Sequence, residues 1–231
     1  MPPSTEMRSS IVLDLAPSLD DLLAGMPPRK RTTIRQGSKK GLVFREGTET
    51  DLKTFNGLLA ALCDRRGVSS NIPIGEFVHR AWETFAPKGH LKLFFAEYES
   101  EPVSTMLLFS IGRWSRVWRT GWSGKYSNLR PNDLLHWEAI KWAKNHGDTH
   151  FDFMGFDTSN AKTLLRGETV CAEDWCPMSQ FKHGFGGEVL EPCPPYCYFF
   201  NPVVRVLFKG VGRPFLNSGL GRRLVRRLNI A

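Results

Sequence analysis

The stretch at residues 119–156, RTGWSGKYSNLRPNDLLHWEAIKWAKNHGDTHFDFMGF, decides how the chain is read. Trp118, Thr120 and Trp122 alternate with small or polar residues as a strand does, and the Gly, Ser and Asn of SGKYSN break it. Pro131 then opens a helix and Gly147 stops it. Leu135, Ala139, Trp142, Ala143 and His146 fall at helical spacing on one face, with Asp133, Lys141, Lys144 and Asn145 opposite. Residues 150–156 alternate aromatic side chains with Asp and Gly, as a strand entering a core would. In this order of strand, loop, helix and strand, the free N–H groups and dipole of the helix N-terminus converge on the loop at 123–132. Such a loop is an anion-binding device, and it is the first candidate site.

Working outward, runs at 91–98 and 103–111 joined by the turn ESEP read as an antiparallel hairpin, and 114–122 as the strand leading into the loop. Upstream, Thr50 and Asp51 cap a helix through Leu62 with Leu52, Phe55, Leu58, Leu59 and Leu62 on one side, and 76–85 forms another helix. Nearer the start lie a short strand at 11–15, a helix in SLDDLLAG with acids in its first turn, a basic helix at 29–40 and a strand at 42–45. Downstream, 157–174 reads as a long polar connection and 174–182 as a short helix before the glycine-rich GFGGE. Residues 196–200 read as a last strand ahead of a basic tail.

At 231 residues, with 41% hydrophobic and 12% aromatic content, the chain has enough apolar surface for a sizeable core, which excludes a disordered polypeptide. No run approaches the length that spans a bilayer, and a cytoplasmic location is expected. Five irregularly spaced cysteines fit free thiols better than a disulfide framework. Cys171 and Cys176, Cys193 and Cys197, with His183 between, miss the tight spacing of zinc sites, and no metal is expected.

The formal charge of +8 is unevenly placed. Residues 29–45 and 199–231 each carry seven basic side chains and no acid, so of the 31 basic residues 17 are left against all 23 acidic ones. An acidic body with two basic ends suits a polyanionic partner: RNA, a nucleotide-linked precursor or an anionic lipid surface.

Four stretches carry a resemblance: LDLAPSLDDLLAGMPPRKRTTIRQGSKKG, LRPNDLLHWEAIKWAKNHG, HFDFMGF and FKHGFGGE. Together, and in this order, they resemble the FemAB family of peptidoglycan-bridge aminoacyltransferases, whose domains have the GNAT acyltransferase fold. The resemblance implies an α/β (α+β) chain with a central mixed, largely antiparallel sheet flanked by helices. It implies that residues 1–45 are the end of a first GNAT-like domain, 46–198 a second and complete one, and 199–231 a basic helical tail. In the family a full first domain precedes this end, so a homodimer or a missing-domain partner is an open expectation.

The implied chemistry is transfer of an aminoacyl group from aminoacyl-tRNA to an amine of a peptidoglycan precursor or related peptide, with no cofactor. The amine attacks the ester carbonyl, and a cation or N–H donors must hold the resulting oxyanion. Lys182 matches a family lysine implicated in this role, holding either the oxyanion or the acceptor end of the tRNA, with Phe181 stacking on a base or packing beside it. Read from the residues alone, Lys182 is a surface lysine at a helix C-terminus. Asp152, with Glu188, is the carboxylate considered for proton transfer; its other reading is a hydrogen-bonded brace. His136 reads as a core histidine rather than a base.

Lys125, Tyr126, Arg130 and Asn132 are candidate phosphate-binding residues, though Asn132 equally suits a helix cap. Arg65 and Arg66 either meet phosphates or are solvated. The tail, with Leu216, Leu220, Leu224 and Leu228 in steps of four, suits peripheral contact with an anionic membrane or packing against a partner. Two other readings stay open: an acyl-CoA-dependent N-acyltransferase whose CoA pyrophosphate lies in the loop at 123–132, and a non-catalytic half that binds RNA or a partner.

Overall fold

The computed structural model describes residues 9–70 and 75–191, with isolated positions 200, 208, 210, 214 and 218 beyond them. The strand expected at 196–200 and the tail helix fall almost wholly outside these residues.

A seven-stranded sheet runs through the molecule in the order β2-β3-β4-β5-β6-β1-β7. Its strands are β1 (Ser10–Asp14), β2 (Leu42–Glu46), β3 (Leu91–Tyr98), β4 (Glu101–Ile111), β5 (Trp114–Trp122), β6 (His150–Asp152) and β7 (Glu188–Leu190). Every pairing is antiparallel except β5 with β6, as the resemblance implies for a mixed, largely antiparallel sheet. The helices are α1 (Leu19–Ala24), α2 (Pro28–Lys39), α3 (Leu52–Arg66), α4 (Glu76–Phe85), α5 (Pro131–His146), α6 (Thr158–Leu165) and α7 (Pro177–His183).

Helices cover both faces, because the strands alternate between two cores. Phe94 joins one cluster with Met106, Leu135, Ile140, Phe151 and Phe156 under α5. Its neighbour Phe95 points the other way, into Leu52, Phe55, Leu59 and Leu107 under α3. Local chemistry sets the helix ends. Ser18 caps α1 by accepting from the Asp21 N–H, Pro28 and Pro131 open α2 and α5, and Gly67 and Gly147 close α3 and α5 with positive φ. Gly121 lets α3 lie directly on β5: a Cβ there would stand 2.6 Å from the Leu59 nitrogen.

The β5–β6 ladder ends at Arg116 and Asp152. Beyond it β5 continues to Trp122, while the chain after Asp152 turns through Met154 and Gly155, both left-handed at φ 51° and 52°. The sheet therefore opens as a wedge at its centre.

Three features depart from the sequence reading. The connection at 157–174 contains α6, because Asp157 accepts from the Asn160 N–H as an N-cap and the buried Asn160 ties the helix to Asp174 and Cys176. Strand β7 begins at the last residue of GFGGE, just after Gly187, whose φ of 94° lets the backbone approach Val12: a Cβ there would stand 2.7 Å from its carbonyl oxygen. Asp133 is buried, not on the outer face of α5. Its charge is met by a lysine from another helix, which helical periodicity does not reveal.

Candidate active site

The floor of the wedge is built around Asp152, 4% exposed. It accepts hydrogen bonds from Ser10 Oγ of β1 and from the Met154 N–H at 2.8 Å, and Arg116 Nε lies 3.5 Å from its second oxygen. These contacts hold the chain in the left-handed turn at Met154, a conformation that costs a non-glycine residue about 1 kcal/mol or more. The turn points the carbonyls of Met154 and Gly155 at one side chain. Lys182, from the last turn of α7, donates to both, to Gly155 O at 2.6 Å. Burial pulls its pKa down to about 8; the Asp152 charge opposes that shift and Arg66 adds to it.

One wall is formed by α2, α5 and α7. Lys30 reaches inward from α2 to Asp133 at 2.5 Å and to the Phe181 carbonyl at 3.3 Å, and its ammonium lies 4.1 and 4.2 Å from the ring centroids of Phe181 and Phe185. Burial lowers its pKa, Asp133 opposes this, and Arg130 adds to the lowering. His136 stacks on Phe153 and meets Phe181 edge-on. Its Nδ1 is 2.8 Å from the Asn132 carbonyl oxygen, which requires a proton on that nitrogen. Burial pushes its pKa down to about 3, so the ring is neutral across the physiological range.

At the rim, Arg65 stacks on Trp122 at 4.2 Å and donates to its carbonyl, and the exposed Arg66 beside it ends α3. Arg130, left-handed at φ 53°, precedes Pro131.

Lys182, Asp152 and Phe181 are thus brought together, and Arg66 and Arg130 act electrostatically on Lys182 and Lys30. The rest of the 123–132 loop faces elsewhere. Lys125 is exposed and paired with Glu101 at 2.6 Å, and Tyr126 packs on Tyr98 with ring centroids 4.7 Å apart. Asn132 is not a cap: its Oδ1 accepts from Ser104 Oγ at 2.5 Å. At the N-terminus of α5 the buried carboxylate of Asp133 already supplies negative charge. Glu188 is exposed in β7. Cys171 is exposed and Cys176 half-buried, while Cys193 and Cys197 lie outside the described residues.

Sequence reasoning missed Lys30, Asp133 and Ser10 as parts of this site. The available signal was Lys30 in a run of seven bases without an acid, against an acid in the first turn of α5.

The family of acetyltransferase (GNAT) domains matches residues 28–163, more than half of the chain. The chain belongs to this family. Among solved structures, this GNAT protein is similar to FemX, at 17% identity and a TM-score of 0.74, over 90% of its own length and 66% of FemX. It is also similar to the C-terminal domain of a putative lysylphosphatidylglycerol synthetase from Agrobacterium fabrum, at 12% identity and 0.55, over 79% of this chain and 58% of that one. L-PGS from Bacillus licheniformis matches at 14% identity and 0.53, over 90% and 66%. At these identities the likeness is one of fold, and at that level the FemAB resemblance holds. The GNAT chain spans less than two thirds of the length of each of these structures. No curated protein matches it.

Proposed function

We propose that this GNAT protein is a FemAB-type aminoacyltransferase, moving an aminoacyl group from aminoacyl-tRNA to an amine of a peptidoglycan precursor or related peptide. Membership of the family supports an acyltransferase. The observation that carries the finer reading is the surplus of positive charge at the wedge. Arg130 acts on Lys30 and Arg66 on Lys182, and both lysines act on His136 between them, against the carboxylates of Asp133 and Asp152. Such a rim suits a donor or acceptor rich in phosphate.

In this reading the acceptor amine attacks the ester carbonyl, the C–N bond forms as the carbonyl π pair moves onto oxygen, and collapse of that oxyanion breaks the C–O bond to the ribose, whose oxygen takes the amine's proton directly or through water. Lys182 spends two of its three N–H bonds on the carbonyls of Met154 and Gly155, leaving the third for the oxyanion or a phosphate. Asp152 fixes the turn that presents those carbonyls and favours the charged form of Lys182. Residues 46–198 supply most of the catalytic body, residues 1–45, read as the end of a first GNAT-like domain, complete its sheet and site with β1, β2, Ser10 and Lys30, and the basic tail at 199–231 meets RNA or anionic lipid. No helix among the described residues is long and apolar enough to cross a membrane. Charged tRNA places the reaction in the cytoplasm.

An acyl-CoA donor fits less well, because its pyrophosphate belongs at the N-terminus of α5, where the loop turns Lys125 to Glu101 and Asn132 to Ser104 instead of toward a ligand. The test is a transfer assay offering charged tRNAs beside acyl-CoAs, with precursor amines as acceptors and RNase in a parallel reaction. Product abolished by RNase is the expected result. Product from acyl-CoA alone moves the assignment to that donor. Binding of tRNA without product from either donor identifies a half that needs a partner domain.

A further inference from the structure

One helix contributes to the wedge from one face and presents an unused surface on the other. On α2, Lys30, Ile34 and Gly37 share the inward face. Ile34 and Gly37 are buried, with Gly37 beside Leu42 and Leu134, and Lys30 pairs with Asp133. At 100° per residue, Arg31, Arg35 and Lys39 lie on the outward face in steps of four. Among the described residues, none of these three has a carboxylate partner within ion-pair distance; Arg31 donates to the Ala24 carbonyl. A groove beside them is lined by Asp20, Ala24, Pro28 and Thr32 with Arg31 and Arg35.

We infer that this outer face of α2 is a docking surface for the sugar–phosphate backbone of RNA, where it holds the helical stem of the donor while Lys30 borders the site that takes the acylated end. Steps of four residues space the cations by about 6 Å, close to the separation of successive phosphates along one strand. Arginine at two of the three positions suits bidentate contact with phosphate oxygens. The same face lacks what an anionic membrane requires. The outward residues Arg31, Thr32, Arg35, Gln36, Ser38 and Lys39 include no apolar side chain to enter lipid, and the apolar side of α2 is already packed on the body. The inference rests on the aminoacyl-tRNA reading for its biological role, but RNA binding is measured independently of transfer.

The experiment uses the full chain and a fluorescent RNA hairpin, titrated at several salt concentrations. The triple variant Arg31→Gln/Arg35→Gln/Lys39→Gln keeps good helix formers, and the double variant Arg35→Gln/Lys39→Gln leaves the Arg31 bond to Ala24 intact. A control triple, Lys53→Gln/Lys88→Gln/Lys162→Gln, removes the same charge from exposed positions elsewhere. The α2 triple is expected to weaken binding by about tenfold or more and to reduce the slope of log K against log salt by about 2 to 3, with the double variant losing proportionately less. The control is expected to leave the slope nearly unchanged.

Equal effects of the two triples would overturn the assignment, since net charge alone would explain them. So would unchanged RNA binding alongside loss of binding to phosphatidylglycerol vesicles, which would make the face a lipid surface. Transfer adds a further split: the α2 triple is expected to be slow with full-length aminoacyl-tRNA and normal with a short aminoacylated oligonucleotide lacking the stem. If the wild type transfers from neither donor yet the RNA slopes behave as described, the enzymatic reading fails and the docking surface stands.

Discussion

Lys30 and Asp133 form an ion pair across 2.5 Å between α2 and the first turn of α5, with only 12% and 10% of their side-chain surfaces exposed. Each charge is tolerated because of the other, and the two aromatic faces under the ammonium complete its surroundings. Asp133→Ala strands a buried lysine, so the unfolding free energy from urea denaturation should fall by about 3 kcal/mol or more. Lys30→Met with Asp133→Leu removes both charges and should recover most of that loss. A double variant as unstable as the single one would show that packing, rather than charge pairing, sets the cost.

Lys182 gives opposite pH dependences to stability and to activity. Its pKa in the folded protein is about 8 against an ordinary 10.5, so between these values the unfolded chain holds a proton that the native protein has released. The penalty for burying the ammonium is complete below pH 8 and is relieved as pH rises to 10.5, a gain on the order of 3 kcal/mol relative to Lys182→Met. Lys30 shifts in the same direction but is present in both proteins and cancels in the difference. If the ammonium serves the oxyanion, kcat/KM falls over the same rise in pH, with a basic limb near 8. Lys182→Arg should move that limb out of range.

Asp152→Asn tests the coupling between these two residues. It removes the negative charge that favours protonated Lys182 while leaving an oxygen to accept from Met154 N–H. The basic limb of the pH–rate profile should shift below 8. A limb that stays in place would mean that Asp152 acts only on the backbone turn.

Gly121→Ala places a methyl group 2.6 Å from the Leu59 nitrogen, against backbone that has no rotamer to yield. The helix α3 must move off β5, at about 2 kcal/mol or more, and it carries Arg66 with it. Transfer and phosphate-dependent binding should therefore decline along with the urea midpoint.

What sequence reading reached and missed follows from the range of the forces involved. Helix α5 was legible because its signals are local: Pro131 at the start, Gly147 at the end and apolar spacing between them. The β3–β4 hairpin was legible for the same reason. The helix inside 157–174 was hidden because its cap, Asp157, sits in a run of polar residues whose burial depends on distant packing. Asp133 was placed on the wrong face because its partner Lys30 is 103 residues away, beyond any periodicity. The loop at 123–132 does lead into the helix N-terminus that its sequence indicates. That its Lys125 turns to Glu101 and its Asn132 to Ser104 depends on the β4 hairpin laid alongside, which no local pattern encodes.

Strand β1 lies between β6 and β7, and Ser10 meets Asp152 across 142 positions of sequence. During synthesis this strand leaves the ribosome early and must wait, without hydrogen-bonding neighbours, until both flanking strands have been made. The wedge is therefore completed among the last events of folding, since its β1–β6 contact closes a loop of 142 positions, exceeded in the sheet only by the β1–β7 pairing. A polypeptide trimmed to the matched residues 28–163 would lack both β1 and β7, leaving Asp152 without its seryl donor and β6 with an open edge. Recombinant forms that start after residue 14 are thus expected to aggregate rather than to report on the chemistry of the site.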